Sequence, residues 1–164
     1  MKRLYLTLAL CVLMLALMPV APALAVSHLS PLTSHLFYMF AHANVLHWLI
    51  NAWTLLVLHN TFRWYRCLAA YLLAVAASFV PCSVIISRPT MGASALSCFF
   101  LGLITPHLWH SGKRSSVLMM LALLLLGFFL PGIAAGLHVA LYLCGLLFIN
   151  LERVARSFIW FCKS

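Results

Sequence analysis

Six long apolar stretches separated by breaks of a few residues dominate the sequence, and that pattern constrains the fold more than any single motif. The stretches run from Leu4 to Val26, Leu36 to Leu58, Cys67 to Ser87, Met91 to Trp109, Ser115 to Leu130 and Gly132 to Leu151. Breaks fall at Pro31, at Arg63 to Arg66, at Arg88-Pro89, at Ser111-Gly112-Lys113-Arg114 and at Pro131-Gly132, where Pro and Gly interrupt helical pairing. The last break divides a charge-free run from Val117 to Leu151 into a tight helical hairpin. A bilayer core of roughly 30 Å takes about 20 helical residues per crossing, so 164 residues leave room for six crossings and very short loops.

Composition points the same way. Hydrophobic residues make up 66% of the chain, charged residues 7%, and mean hydropathy is +1.12; a water-soluble globule is nearer a quarter charged. The expectation is an all-α polytopic membrane helix bundle with six transmembrane helices, folded as a single domain over residues 1–164. No internal repeat, low-complexity tract or soluble linker is visible.

The cations orient this bundle. Lys2, Arg3, Arg63, Arg66, Lys113, Arg114, Arg153, Arg156 and Lys163 fall on alternate loops and both termini, and Arg88 alone on the opposite side, which accounts for all 10 Lys and Arg. Short loops rich in Lys and Arg stay cytoplasmic, so a multi-pass protein of a bacterial inner membrane with both termini cytoplasmic is expected. The net charge of +9 then serves topology and attraction to anionic lipid headgroups. Nucleic acid is not an expected partner, since no basic stretch is interleaved with stacking aromatics. Met1-Lys2-Arg3, the run from Leu4 to Met18 and Pro22-Ala23-Leu24-Ala25 also have the layout of a cleavable secretory signal peptide. A retained first helix is favoured, because the apolar stretch continues to Val26 and gives an even number of spans. Cys11, Cys82, Cys98 and Cys144 lie inside apolar spans and form no Cys-x-x-Cys pair, so they read as small buried hydrophobes, while Cys67 and Cys162 mark the cytoplasmic boundary.

Against this background a few polar side chains stand out: Ser94 in Gly92-Ala93-Ser94, His138 in Gly136-Leu137-His138, and a face of the second helix formed by His42, His47 and Asn51. Polar groups at membrane depth need partners or a chemical task. In the orientation above, the second, fourth and sixth helices all enter from the outer side. Ser94 lies five residues past Pro89 and His138 seven past Pro131, so at about 1.5 Å of rise per residue both sit roughly 8 to 10 Å below the outer breaks. Small residues around each, Gly92, Ala93, Ala95 and Ser97 on one side and Ala134, Ala135, Gly136, Ala140 and Gly145 on the other, permit close helix approach. His47 and Asn51 are four apart and share a helical face. Together these residues offer a nucleophile, a base and hydrogen-bond donors, the set that acyl transfer requires. The chain has no Asp, and its one acidic residue is Glu152 beside Arg153, so a relay with a carboxylate is excluded and Ser94 and His138 would work as a dyad.

The ordered set His42-Ala-Asn-Val-Leu-His47-Trp-Leu-Ile-Asn51, Gly92-Ala93-Ser94, and His138 followed by Gly145 resembles the rhomboid intramembrane serine proteases, over nearly the whole chain. The resemblance implies Ser94 as nucleophile, His138 as general base and then acid, and His47, Asn51 and the N–H of Ser94 as the oxyanion hole. It places His42 and Gly92 in supporting roles. The substrates implied are transmembrane helices of other membrane proteins, cut near their outer ends; no cofactor and no metal is expected. The chain departs from the family at Ala95 and Leu141, where glycines are common, and in the short loop from Ser27 to His35, which has no Trp-Arg pair.

Simpler readings exist for the same residues. A membrane serine usually bonds its own helix backbone. His28, His35, His59, His107 and His110 lie near span ends and read as interfacial, and Trp48, Trp53, Trp64, Trp109 and Trp160 as lipid-facing or interfacial filling. Tyr142, one turn after His138, is an aromatic candidate for orienting its ring. Two other functions fit parts of the pattern: a catalytically inactive rhomboid-like protein that binds transmembrane helices, and a membrane protein holding haem between two of its eight histidines. A zinc peptidase does not fit, since there is no His-Glu-x-x-His.

Overall fold

The computed structural model describes residues 2–27, 29–61, 63–80, 89–129 and 133–161. Eight α-helices account for most of them: α1 Lys2–Ala16, α2 Ala21–Leu24, α3 Leu32–Phe37, α4 Val45–Leu58, α5 Trp64–Ser78, α6 Ser94–His110, α7 Arg114–Leu126 and α8 Ala135–Phe161. His28, Cys82, Arg88, the Pro131-Gly132 break, Cys162 and Lys163 lie outside the described residues.

The apolar stretches convert into helices unevenly. The first is not one straight helix: Pro19 and Pro22 have no N–H to extend the ladder, and the chain bends by 46° between Leu4–Ala16 and Met18–Leu24. The second is interrupted as well. It forms α3, a 3-10 turn over Tyr38–Phe40, and an irregular link before α4. Asn44 starts α4 by accepting the His47 N–H at 2.8 Å on its side chain. His42 therefore precedes the helix instead of sharing a helical face with His47 and Asn51, which corrects the expectation from spacing alone. By length and composition, Ala135–Phe158, with a mean hydropathy of 1.6, can cross a membrane unaided; the bent pair at the N-terminus makes a second if it is one span.

The centre of the fold is the pairing of α6 with α8. Ser94 meets His138 near the starts of both helices, and Phe99 and Gly102 meet Gly145 and Leu146 further along, so the two run parallel. A Cβ on Gly102 would lie 2.2 Å from the Tyr142 carbonyl oxygen, and one on Gly145 2.0 Å from that of Phe99. The backbones thus touch directly, with Cα–H groups facing carbonyls on both sides of the crossing. The Tyr142 hydroxyl adds a bond to Thr105 Oγ1 at 3.0 Å.

The N-terminal helix is fastened to this core. Trp48 Nε1 donates to the Cys11 carbonyl at 2.9 Å, and Cys11 and Met14 are buried. Trp48 is therefore a tie between α1 and α4, not filling at an interface. His35 is likewise not an interfacial residue: it is buried, 2.8 Å from Ser78 Oγ and 3.1 Å from the Ser30 carbonyl, with Phe79 stacked on its ring at 3.8 Å. Cys67, expected at the boundary, packs against the core.

Apolar side chains fill the core and also cover much of the outside. Thr7, Ser34, His42, Asn51, Ser97 and Thr105 are buried, whereas Leu46, Ile50, Trp53 and Val57 on α4 and Leu143, Leu147 and Val154 on α8 are exposed. Apolar area of this extent on the outside is unfavourable against water.

Among the described residues, an ion cluster forms on α8 well beyond the end that carries Ser94 and His138. Glu152 accepts from Arg66 Nε and Nη2 at 3.1 and 2.8 Å, from Tyr65 at 3.0 Å, and from Arg156 on its own helix. The helix α8 continues past Leu151, where the apolar stretch ends, to Phe161. Glu152→Gln loses the fork pairing with Arg66 and leaves that guanidinium short of an acceptor. A destabilisation of about 1–3 kcal/mol is expected, read as a lower denaturation midpoint in detergent.

Candidate active site

The turn that presents Ser94 is held by three separate parts of the chain. Val26 and Thr90 exchange N–H···O bonds of 2.8 and 2.9 Å, the Gly92 N–H donates to the Tyr38 carbonyl at 2.8 Å, and the Ala93 N–H donates to His42 Nε2 at 3.4 Å. Gly92 is required twice over. Its φ of +113° is one that side chains rarely adopt, and a Cβ there would fall 2.6 Å from Cε1 and 2.7 Å from Nε2 of His47. Gly92→Ala must displace His47 or the turn, and a misplacement of about 1 Å typically costs about 10²-fold in rate. That loss is the expected result in any assay of Ser94 reactivity.

Ser94 is the first residue of α6, so its N–H has no preceding helical carbonyl to bond. Its Oγ lies 2.7 Å from His138 Nε2. Both side chains are partly exposed. The parallel packing of α6 on α8 produces this contact, because each residue stands within the first turn of its own helix. A hydroxyl donating to Nε2 requires the imidazole to carry its proton on Nδ1. The Tyr142 hydroxyl is spent on Thr105.

No protein-family model matches the chain, and no curated protein or solved structure matches it. What the site can do rests on its geometry.

Of the donors expected from α4, His47 lies with its ring against Gly92, half-buried. Asn51 is buried at 4% exposure and directs Nδ2 to the His47 carbonyl at 2.8 Å, an intrahelical bond that occupies one of its two amide protons. His42 packs edge-on to His47, with ring centres 5.1 Å apart. Two rings in that contact cannot clasp a porphyrin between them. Among the described residues, no three of His, Cys, Asp and Glu converge as a metal-ligand set.

Ala95 and Leu141 are both buried in the core cluster. Two contributors to the site were invisible to spacing arguments, because the Tyr38 carbonyl and the Val26–Thr90 bridge act through backbone groups. The Asn three residues before His47 was a readable cap signal.

Proposed function

We propose that this protein is an intramembrane serine endopeptidase of rhomboid type, a six-span bundle that cuts transmembrane helices of other membrane proteins. The observation that carries the reading is the 2.7 Å contact between Ser94 Oγ and His138 Nε2, contributed by two different helices and flanked by His47. The large apolar side chains exposed on α4 and α8 support a lipid setting, and Arg66 and Arg156 at the opposite end support a cytoplasmic location for that end.

In this mechanism neutral His138 takes the Ser94 proton on Nε2 as Oγ attacks a substrate carbonyl. The C–N bond then breaks as the imidazolium returns its proton to the leaving nitrogen, forming an acyl-enzyme. Water, deprotonated by the same nitrogen, releases the acyl group. The oxyanion is met by the free N–H of Ser94, by His47 and by the second amide proton of Asn51. Each such donor is worth about 10²–10³ in rate, so His47→Ala is expected to lose that much turnover while the folded bundle persists.

The test is cleavage of a generic transmembrane reporter in liposomes, with fluorophosphonate labelling in parallel. Wild type should cut and label, and Ser94→Ala should do neither. Equal cutting by both would end the proposal.

A further inference from the structure

Packed helices leave few voids larger than a water molecule, yet a cavity of about 160 Å³ lies between α1, α4, α5 and α6. Its walls are Leu6 and Leu10 on α1, Leu55 on α4, Cys67 on α5, and Leu96 and Phe100 on α6. Thr7 and the Cys67 thiol are the polar part of an otherwise hydrocarbon lining. Such walls offer water little to bond, and apolar cavities of about 150 Å³ stay dry and admit guests the size of benzene. Leu55 and Phe100 are 1% and 2% exposed, whereas Leu6 is 64% exposed, so the α1 wall of the cavity is also part of the outer surface. A cation stands close along the chain. Cys67 follows Arg63, the N-cap of α5, by one helical turn, a rise of about 6 Å. Arg63 is exposed and donates to the Tyr65 hydroxyl at 3.3 Å. The chain's one acidic side chain, Glu152, is held by Arg66 and Arg156, so among the described residues Arg63 pairs with no carboxylate.

We propose that this cavity binds an acyl chain of an anionic phospholipid whose headgroup phosphate lies on Arg63. The two ends of such a lipid match the two chemistries in order: a guanidinium takes the phosphate oxygens, and one turn deeper the leucine and phenylalanine walls take methylenes. The inference rests on the membrane setting of the proposed function and not on the chemistry of Ser94. It bears on the site all the same. Leu55 stands one turn after Asn51, and Leu96 two residues after Ser94, so a chain seated between them fills the space that separates the donor helix α4 from the nucleophile helix α6.

The experiment places the full chain in nanodiscs containing a trace of phosphatidylglycerol with a photoreactive diazirine on one acyl chain, and locates the adducts by peptide mass spectrometry. Adducts are expected on Leu55 and Phe100, buried side chains that lipid outside the bundle does not reach, as well as on exposed Leu6. Leu10→Trp, which fills the cavity, should lower the Leu55 and Phe100 adducts by about 10-fold and leave those on exposed Val154 unchanged, with the denaturation midpoint reporting an intact bundle. Phosphatidylcholine with the same chain should label the two buried residues about 5-fold less, the effect of one cation on an anionic headgroup, and Arg63→Gln should remove that difference. Wild-type adducts confined to exposed side chains overturn the proposal, and equal labelling of Leu55 and Phe100 by the two lipids overturns the place given to Arg63. Cavity adducts in a protein whose Ser94 does not react with a fluorophosphonate support the lipid site and refute the hydrolase reading; a reactive Ser94 without cavity adducts does the reverse.

Discussion

Replacing His138 with alanine is expected to lower the reactivity of Ser94 toward a fluorophosphonate, and the cutting of a membrane reporter, by about 10⁴ or more. A serine hydroxyl is a weak nucleophile until its proton has somewhere to go, and Nε2 of His138 at 2.7 Å is the acceptor in contact with it. No carboxylate stands in reserve: the chain's acidic residue, Glu152, is engaged by Arg66, Tyr65 and Arg156 at the far end of the bundle. Because the two residues act as a unit, Ser94→Ala with His138→Ala should cost no more than Ser94→Ala alone. The fold should tolerate the change, since His138 is partly exposed and the α6–α8 crossing lies further along both helices. Labelling of His138→Ala at the wild-type rate, in protein with an unchanged denaturation midpoint, would contradict the dyad.

The second large effect is structural. Gly145→Ala places a methyl group 2.0 Å from the Phe99 carbonyl oxygen and 2.9 Å from its carbon, where neither partner is a flexible side-chain end. The helices must separate or shear by more than 1 Å, losing dispersion contacts along α6 and α8. A destabilisation of roughly 3 kcal/mol is expected, with a fall in Ser94 reactivity as the two helix starts lose register. Gly127→Ala is the comparison: its Cβ would meet the Ala135 and Ile133 side chains at 3.4 Å, contacts that a small shift relieves. Thermal unfolding in detergent should separate the two variants clearly. A Gly145→Ala protein as stable as Gly127→Ala would mean that α6 and α8 do not cross as described.

Much of the architecture was legible in the chain. Apolar stretches punctuated by Pro, Gly and cations are a property of side chains one at a time, and the helices appear where those stretches lie. Ends were less legible, for physical reasons that differ from case to case. The first stretch bends because Pro19 and Pro22 act inside it, and the second breaks because Asn44 offers the His47 N–H a better acceptor than a continuing helix would. The last helix runs on past Leu151, and its Glu152 meets Arg66, a residue 86 positions away. His35 carries no local sign of burial, since the hydroxyl of Ser78 and the ring of Phe79 that receive it come from α5 and its end.

For the site, the residue types, their order and their matched depth were present in the sequence, because depth along a helix follows from counting residues from a break. Contact was not. Whether Ser94 touches His138 depends on the azimuth and separation of α6 and α8, which are set where Gly102 and Gly145 let two backbones meet. The same holds for His42, whose bond to Ala93 arises from an irregular segment crossing beneath the turn. Chain composition decided that this protein is helical and apolar on the outside; long-range packing alone decided which hydroxyl faces which imidazole, since no local propensity encodes the distance between two helices.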